Sequence, residues 1–162
     1  MYVQRYVDLP DEQRKAYEQL KESALMILRD AEVSYNNKLT ELLKLQQVSN
    51  GFVKTNEGDI VDFKSNAKLT ELMNIIGETE DKCIIWANYV HNIEGIKKKL
   101  AETYGVDSVV SIYGKDSVDV RNQAVEKFQN KEECRFLVGN PTVGGYGLTL
   151  TAAKYVIYFS NS

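Results

Sequence analysis

Apolar positions recur at steps of three and four through the first part of the chain and gather into short unbroken runs through the second. In LPDEQRKAYEQLKESALMILRDAEV, Tyr17, Leu20, Ala24, Ile27, Leu28 and Ala31 fall on one helical face. Pro10 suits a first helical position there, and Asp11 and Glu12 suit the positive end of the helix dipole. A long amphipathic helix is predicted. A second follows in NKLTELLKLQQV, where Leu39, Leu42, Leu43 and Gln46 form a stripe that needs a partner. In GFVKTNEGDIVDF, Phe52 and Val53 face Ile60, Val61 and Phe63 across Asn56, Glu57 and Gly58, which predicts a small hairpin. Ser65 and Asn66 can then cap a helix carrying Leu69, Leu72, Met73 and Ile76.

Beyond that point the pattern becomes regular: strand KCIIWA, helix NIEGIKKKLAETY, strand SVVSIYG, helix SVDVRNQAVEKFQN, strand CRFLVGN, a glycine turn, a short helix from Leu148 to Ala153, and strand YVIYFS. Strands apolar on both faces and joined by helices are what a parallel sheet covered on both sides requires. The expected fold is therefore a three-layer, doubly wound α/β unit at residues 65–162, preceded by a helical lead-in with a small hairpin at residues 1–64. The last strand ends just before Ser162 without a covering helix, so the expectation is a fold cut at its C-terminus or completed by something outside this chain.

Composition narrows the classes. With 43% hydrophobic and 27% charged residues, the chain suits a soluble domain with one core and an appendage. It has no long apolar run for a membrane span and no signal-peptide segment in MYVQRYVDLP, so a cytoplasmic location with no membrane partner is expected. A net charge of −3 argues against nucleic-acid binding by bulk electrostatics. The run Lys97, Lys98 and Lys99 alternates with Ile93, Ile96 and Leu100 as a solvated helix face would. Cys83 and Cys134 fit no metal or redox spacing and are expected to be buried and reduced. His91, the one histidine, cannot by itself build a zinc site or a catalytic triad, so no metal site and no catalytic residue is expected.

Ligands of open α/β sheets bind at the carboxyl ends of the strands. Here those ends carry NYVHN, YGKDS, GNPTVGGYGLT and SNS. The third is the richest, because Gly144, Gly145 and Gly147 allow a sharp turn and close backbone approach to a phosphate. A dinucleotide fingerprint fails, since Leu148, Thr149 and Leu150 follow Gly147 with no third glycine. A Walker A loop fails too, because no G-x-x-x-x-G-K-[ST] occurs. What remains is a turn that touches the phosphate of a nucleic acid, or of a nucleotide held mainly by another lobe; a purely structural tight turn is the alternative.

FLVGNPTVGGYGLTLTAAKYVIYFSNS resembles motif V of the superfamily two helicases, most closely the Swi/Snf-type DNA translocases and their phage relatives. Other segments resemble the same family in order: LPDEQRKAYEQL its approach to the second lobe, SNAKLTELMNII its helix before motif IV, KCIIWANYV motif IV, and SIYGKDSVDVRNQAVEKFQ its glycine segment with a following arginine and phenylalanine. The resemblance covers nearly the whole chain, with the hairpin at residues 52–63 the least typical part.

The resemblance implies a RecA-like helicase C-terminal lobe: half of a motor that couples ATP hydrolysis to movement along duplex DNA, or RNA, by closing two lobes on each other. The first lobe, with its phosphate loop and Mg²⁺-handling acidic motif, is not in this sequence, nor is motif VI with its arginine finger. ATP and Mg²⁺ are thus implied for a full-length protein, and this chain alone is not expected to hydrolyse ATP or to hold either. Gly144, Gly145 and Gly147 match the motif V turn that relays nucleotide state, and Thr142 and Thr149 match positions touching the tracked strand. Thr149 stands where the family commonly has asparagine, so it keeps a hydroxyl donor and loses an amide. Asn88, Gly114 and Lys115 follow the first two strands of the sheet and are candidate backbone contacts, with ordinary solvated side chains as the alternative. Arg121 matches the arginine beyond that turn and is expected to support the loop by hydrogen bonds. Two other classes remain open: a non-catalytic nucleic-acid or protein-binding module with the same lobe shape, and a small nucleotide-binding α/β enzyme.

Overall fold

The structure is a computed structural model and describes residues 3–30, 34–144 and 148–160. The chain divides into two units, Met1–Glu71 and Leu72–Ser162, and the division falls inside a helix at Ala67–Gly77.

The first unit opens with α1 (Asp11–Arg29) and α2 (Tyr35–Ser49). Pro10 precedes α1 in extended geometry (φ −55°, ψ 153°) and its carbonyl accepts the Arg14 amide, so it caps the helix rather than occupying its first turn. Ser34 Oγ caps α2 by accepting the Asn37 amide at 3.4 Å. The two helices pack together around buried Ala24 and Val48, and the buried Gln13 donates Nε2 to the Val48 carbonyl at 2.5 Å. The leucine stripe of α2 is not closed over, since Leu39, Leu42 and Leu43 are each 42% exposed. Two helices cover each other on one side only.

β1 (Phe52–Lys54) and β2 (Ile60–Asp62) form the expected antiparallel hairpin, with Val53 opposite Val61. Asn66 Oδ1 accepts the Leu69 amide at 3.1 Å and so caps α3 (Ala67–Gly77), while its Nδ2 donates to the Asn50 carbonyl at 3.0 Å. Gly51 passes beneath this amide at φ +91°, where a β-carbon would stand 2.1 Å from Asn66 Nδ2. Gly51→Ala is therefore expected to cost about 2–4 kcal/mol in urea unfolding, the sum of a left-handed backbone and a displaced cap. Gly58→Ala, at φ +99° with only Lys54 Cε at 4.0 Å, should cost the backbone part alone, about 1 kcal/mol. Equal losses at the two positions would mean that the Asn66 contact relaxes freely.

The second unit is a four-stranded parallel sheet of β3 (Cys83–Trp86), β4 (Val109–Ile112), β5 (Phe136–Gly139) and β6 (Tyr155–Tyr158), in the order β4-β5-β3-β6. Cys83 is in register with Phe136 and Tyr155, and Val109 with Phe136. α4 (Val90–Tyr104) carries the chain two places across the sheet and α5 (Val118–Asn130) one place back. Right-handed crossovers running in opposite directions leave their helices on opposite faces. Accordingly Phe128 of α5 joins Ile84, Trp86, Ile112, Cys134, Leu137 and Val143 in one core layer. On the other face Tyr104 of α4 lies against Phe136 with ring centroids 5.2 Å apart. The expected three-layer α/β fold is present.

Two lysines tie the amino ends of the sheet. Lys82 Nζ donates to the Phe128 and Lys131 carbonyls, placing a cation at the negative end of α5. Lys154 Nζ lies 2.8 Å from Asp81, and that hydrogen-bonded ammonium holds the Asp81 carboxyl below the ordinary carboxylate range. Cys83 and Cys134 are buried free thiols, and desolvation pushes both upward. Among the described residues no helix is long and apolar enough to cross a membrane.

One expectation is corrected. The helix expected from Leu148 to Ala153 does not form; the short helix instead precedes the glycines, as α6 (Pro141–Gly144). Leu148 and Leu150 both pack on the α5-side core while Thr149 and Thr151 are exposed, the alternation of extended backbone, and the chain then turns at Thr151 and Ala152, where the Ala153 amide donates to the Leu150 carbonyl at 3.4 Å. Gln129 of α5 completes the arrangement by accepting the Ala152 amide at 2.9 Å and donating to Thr151 Oγ1 at 3.1 Å. The amino end of α6 is built by Asn140 followed by Pro141, a capping side chain and a residue that needs no amide partner.

Candidate functional site

The carboxyl ends of the four strands supply the site. After β4, residues Tyr113–Asp116 turn back on themselves: the Asp116 amide donates to the Tyr113 carbonyl at 3.0 Å, and the Tyr113 amide donates to Asp116 Oδ2 at 2.8 Å. Arg121 Nε donates to the Asp116 carbonyl at 3.1 Å, and Ser117 Oγ accepts the Val120 amide at 3.3 Å, so the start of α5 braces the turn. Gly114 and Lys115 are thereby held exposed at its tip. No side chain would be obstructed at Gly114, where a β-carbon would meet open space.

At the carboxyl end of β5 the chain is pinned at Gly139. A β-carbon there would stand 2.7 Å from Ile112 Cγ1, 2.8 Å from the Ile112 carbonyl oxygen and 3.1 Å from Trp86 Cζ3. Asn140 follows, and its side chain works in two directions: Oδ1 accepts the Thr142 amide at 2.9 Å and Nδ2 donates to the Asn88 carbonyl at 3.0 Å. After β3, the Asn88 amide donates to Ser160 Oγ at 2.9 Å. Next to it, burial pushes the Tyr89 phenol upward, away from ionisation.

A cavity of about 600 Å³ opens between the β4 turn and the β5 loop, lined by Gly114, Arg121 and Asn122 on one side and by Asn140, Thr142, Val143 and Leu148 on the other. Of the residues expected from sequence, Gly114, Arg121 and Thr142 therefore meet at one cavity, and Asn88 is joined to it through Asn140. Lys115 is exposed beside Gly114, and Thr149 is exposed beside Leu148. Gly144 ends α6, and Gly145 and Gly147 lie outside the described residues. Sequence reading missed Asn140, Asn122 and Ser160. An Asn-Pro pair directly after a buried strand was the available signal for Asn140, since it spells a helix cap and a first helical position. Ser160 lay within a segment already placed at a strand end, but nothing local distinguishes its hydroxyl.

The lining offers amide, hydroxyl and guanidinium donors and no carboxylate. Such a surface suits an anion. Among the described residues no group of three His, Cys, Asp or Glu could hold a metal ion. A four-stranded parallel lobe of this kind, covered by helices, is RecA-like. Residues 66–162 match the helicase conserved C-terminal domain, and the chain belongs to that family; among solved structures it is similar to the C-terminal domain of SWI2/SNF2-type ATPases.

The chain is 31% identical over 158 residues to an uncharacterized ATP-dependent helicase of Mycoplasma genitalium, a match covering 95% of this chain and 15% of that protein. It resembles the SWI2/SNF2 ATPase C-terminal domain of Sulfolobus solfataricus at 27% identity and TM-score 0.78, over 96% of this chain and 70% of that one. The Sulfolobus solfataricus SWI2/SNF2 ATPase core in complex with dsDNA gives 26% identity and TM-score 0.79, over 96% of this chain and 34% of that one. The chain thus spans a small part of its helicase relative.

Proposed function

We propose that this chain is the second motor lobe of a duplex-DNA translocase, gripping the phosphate backbone with its strand ends while a first RecA-like lobe supplies most of the ATP site. The observation that carries this reading is the cavity of about 600 Å³ lined by Gly114, Arg121, Asn140 and Thr142, on a lobe of the shape found in a SWI2/SNF2 core in complex with dsDNA. Backbone contacts carry no sequence information, which suits a motor that must step along any sequence. ATP binding between two lobes changes their spacing, and a repeated change of grip becomes movement.

In this reading residues 1–64 are the lead-in and residues 65–162 the lobe proper. Asn88, Gly114, Lys115, Thr142 and Thr149 face the tracked strand, Gly144, Gly145 and Gly147 relay the nucleotide state, and Arg121 supports the Lys115 turn. ATP and Mg²⁺ serve the full-length protein, with the metal held by the other lobe, as in phosphoryl-transfer motors whose acidic and phosphate-loop motifs share one lobe. The setting is cytoplasmic, and a phage-type parent rests on the motif resemblance alone.

The test is ATP turnover by the full-length protein against duplex DNA at several salt concentrations. Duplex should stimulate turnover, and Lys115→Ala should lower the slope of log affinity against log salt by about one, the signature of one lost phosphate contact. Turnover stimulated by RNA and indifferent to duplex DNA would overturn the choice of track.

A further inference from the structure

We propose that Asn140 is a positioning residue that locks the loop after β3 to the loop after β5, so that Asn88 and Thr142 meet the track as one rigid face. The inference rests on the motor reading above and names a residue through which that face is assembled.

The Asn88 peptide is held from both sides by side chains of its neighbouring strands. Its amide donates to Ser160 Oγ at 2.9 Å, just beyond β6, and its carbonyl accepts from Asn140 Nδ2 at 3.0 Å, just beyond β5. Asn140 spends every polar group it has on this junction. Besides the bonds to Asn88 and Thr142, its amide donates to the Ile112 carbonyl at 3.4 Å and its carbonyl accepts the Val143 amide at 3.0 Å. One residue thus touches the ends of β3 and β4 and the start of α6. Parallel strands end with unpaired backbone groups that fray unless something bonds them. Side-chain ties at that point fix how far each loop projects, and a phosphate contact depends on that reach.

The two functions of the Asn140 amide can be separated by chemistry. Asn140→Asp keeps an acceptor for the Thr142 amide and removes the donor to Asn88, setting a carboxylate oxygen against the Asn88 carbonyl. Ser160→Ala removes the other side-chain bond to the Asn88 backbone without adding charge, and serves where the aspartate variant folds poorly.

In the full-length protein, the duplex concentration that half-saturates ATP turnover should rise about fivefold for Asn140→Asp, and in the same direction for Ser160→Ala. The decisive comparison is a cycle with Asn88→Ala. If Asn140 acts by placing the Asn88 side chain, Asn140→Asp should add little once that side chain is gone. A general loss of stability would instead multiply the two effects in full. Full multiplication, or unchanged half-saturation in both single variants of a protein that duplex does stimulate, overturns the inference and leaves the motor reading standing. A parent indifferent to duplex with Asn140 in place overturns the motor reading and this inference with it.

Discussion

Gly139→Val is expected to destabilise the lobe by about 3 kcal/mol or more, because the added carbons have nowhere to go. Gly139 sits in β5 between β4 and β3, with both faces of the sheet covered by helices. A β-carbon at this position would meet Ile112 Cγ1 at 2.7 Å and Trp86 Cζ3 at 3.1 Å, and these could shift only against a close-packed core. The third contact, the Ile112 carbonyl oxygen at 2.8 Å, is backbone, and moving it means parting β4 from β5. The Ile112 carbonyl also accepts the Asn140 amide, so the damage reaches the site directly. For a unit of this size such a loss lowers the thermal midpoint by roughly 10–20 °C. Circular dichroism melts of the wild-type and Gly139→Val chains measure it. A midpoint within a few degrees of wild type would mean that the sheet opens at its carboxyl end without cost.

Gly145→Val in the full-length protein should leave the fold in place and cut duplex-stimulated ATP turnover roughly tenfold or more. The fold should survive because core residues lie on either side of Gly145 in the sequence: Val143, 5% exposed, comes before it, and Leu148 and Leu150 after it pack against the layer that holds Phe128 and Trp86. Function should suffer because only glycine lets a backbone amide approach a phosphate without a side chain between them. Losing one or two charge-assisted backbone bonds, at about 1.5 kcal/mol each, accounts for the expected factor. Turnover and thermal midpoint must be read on the same preparation. Full activity in a stably folded variant would remove the coupling role assigned to this turn.

Much of the fold was legible because its signals are local. Unbroken apolar runs such as CIIW and FLVG can be buried on both faces only in a covered sheet, and all eight of those residues are buried. Asn66 announced a helix start by residue type, and its side chain accepts the amide three residues on. The segment after the glycines misled, because Leu148 and Leu150 two apart and Ala152 and Ala153 beyond fit a helix as readily as extended chain. Only the presence of α5 alongside, with Gln129 ready to bond Thr151 and Ala152, decides for a short extended stretch followed by a turn.

The candidate site divides in the same way. Gly114, Lys115 and Thr142 could be placed at strand ends from sequence order, since a parallel sheet sends each carboxyl end to the same edge, whereas Arg121, inside α5, was reached only through the family resemblance. What sequence order does not contain is strand order. Asn88 and Asn140 are 52 positions apart, and Asn88 and Ser160 are 72 apart. They meet because β3 lies between β5 and β6 in the sheet, an arrangement set by the direction of two crossovers. By itself, then, the amino-acid sequence determined the elements other than those around the glycines, the parallel class of the sheet and the family. The tertiary structure alone decided which loops are bonded to which, because hydrogen bonds between distant loops depend on the neighbours that packing provides.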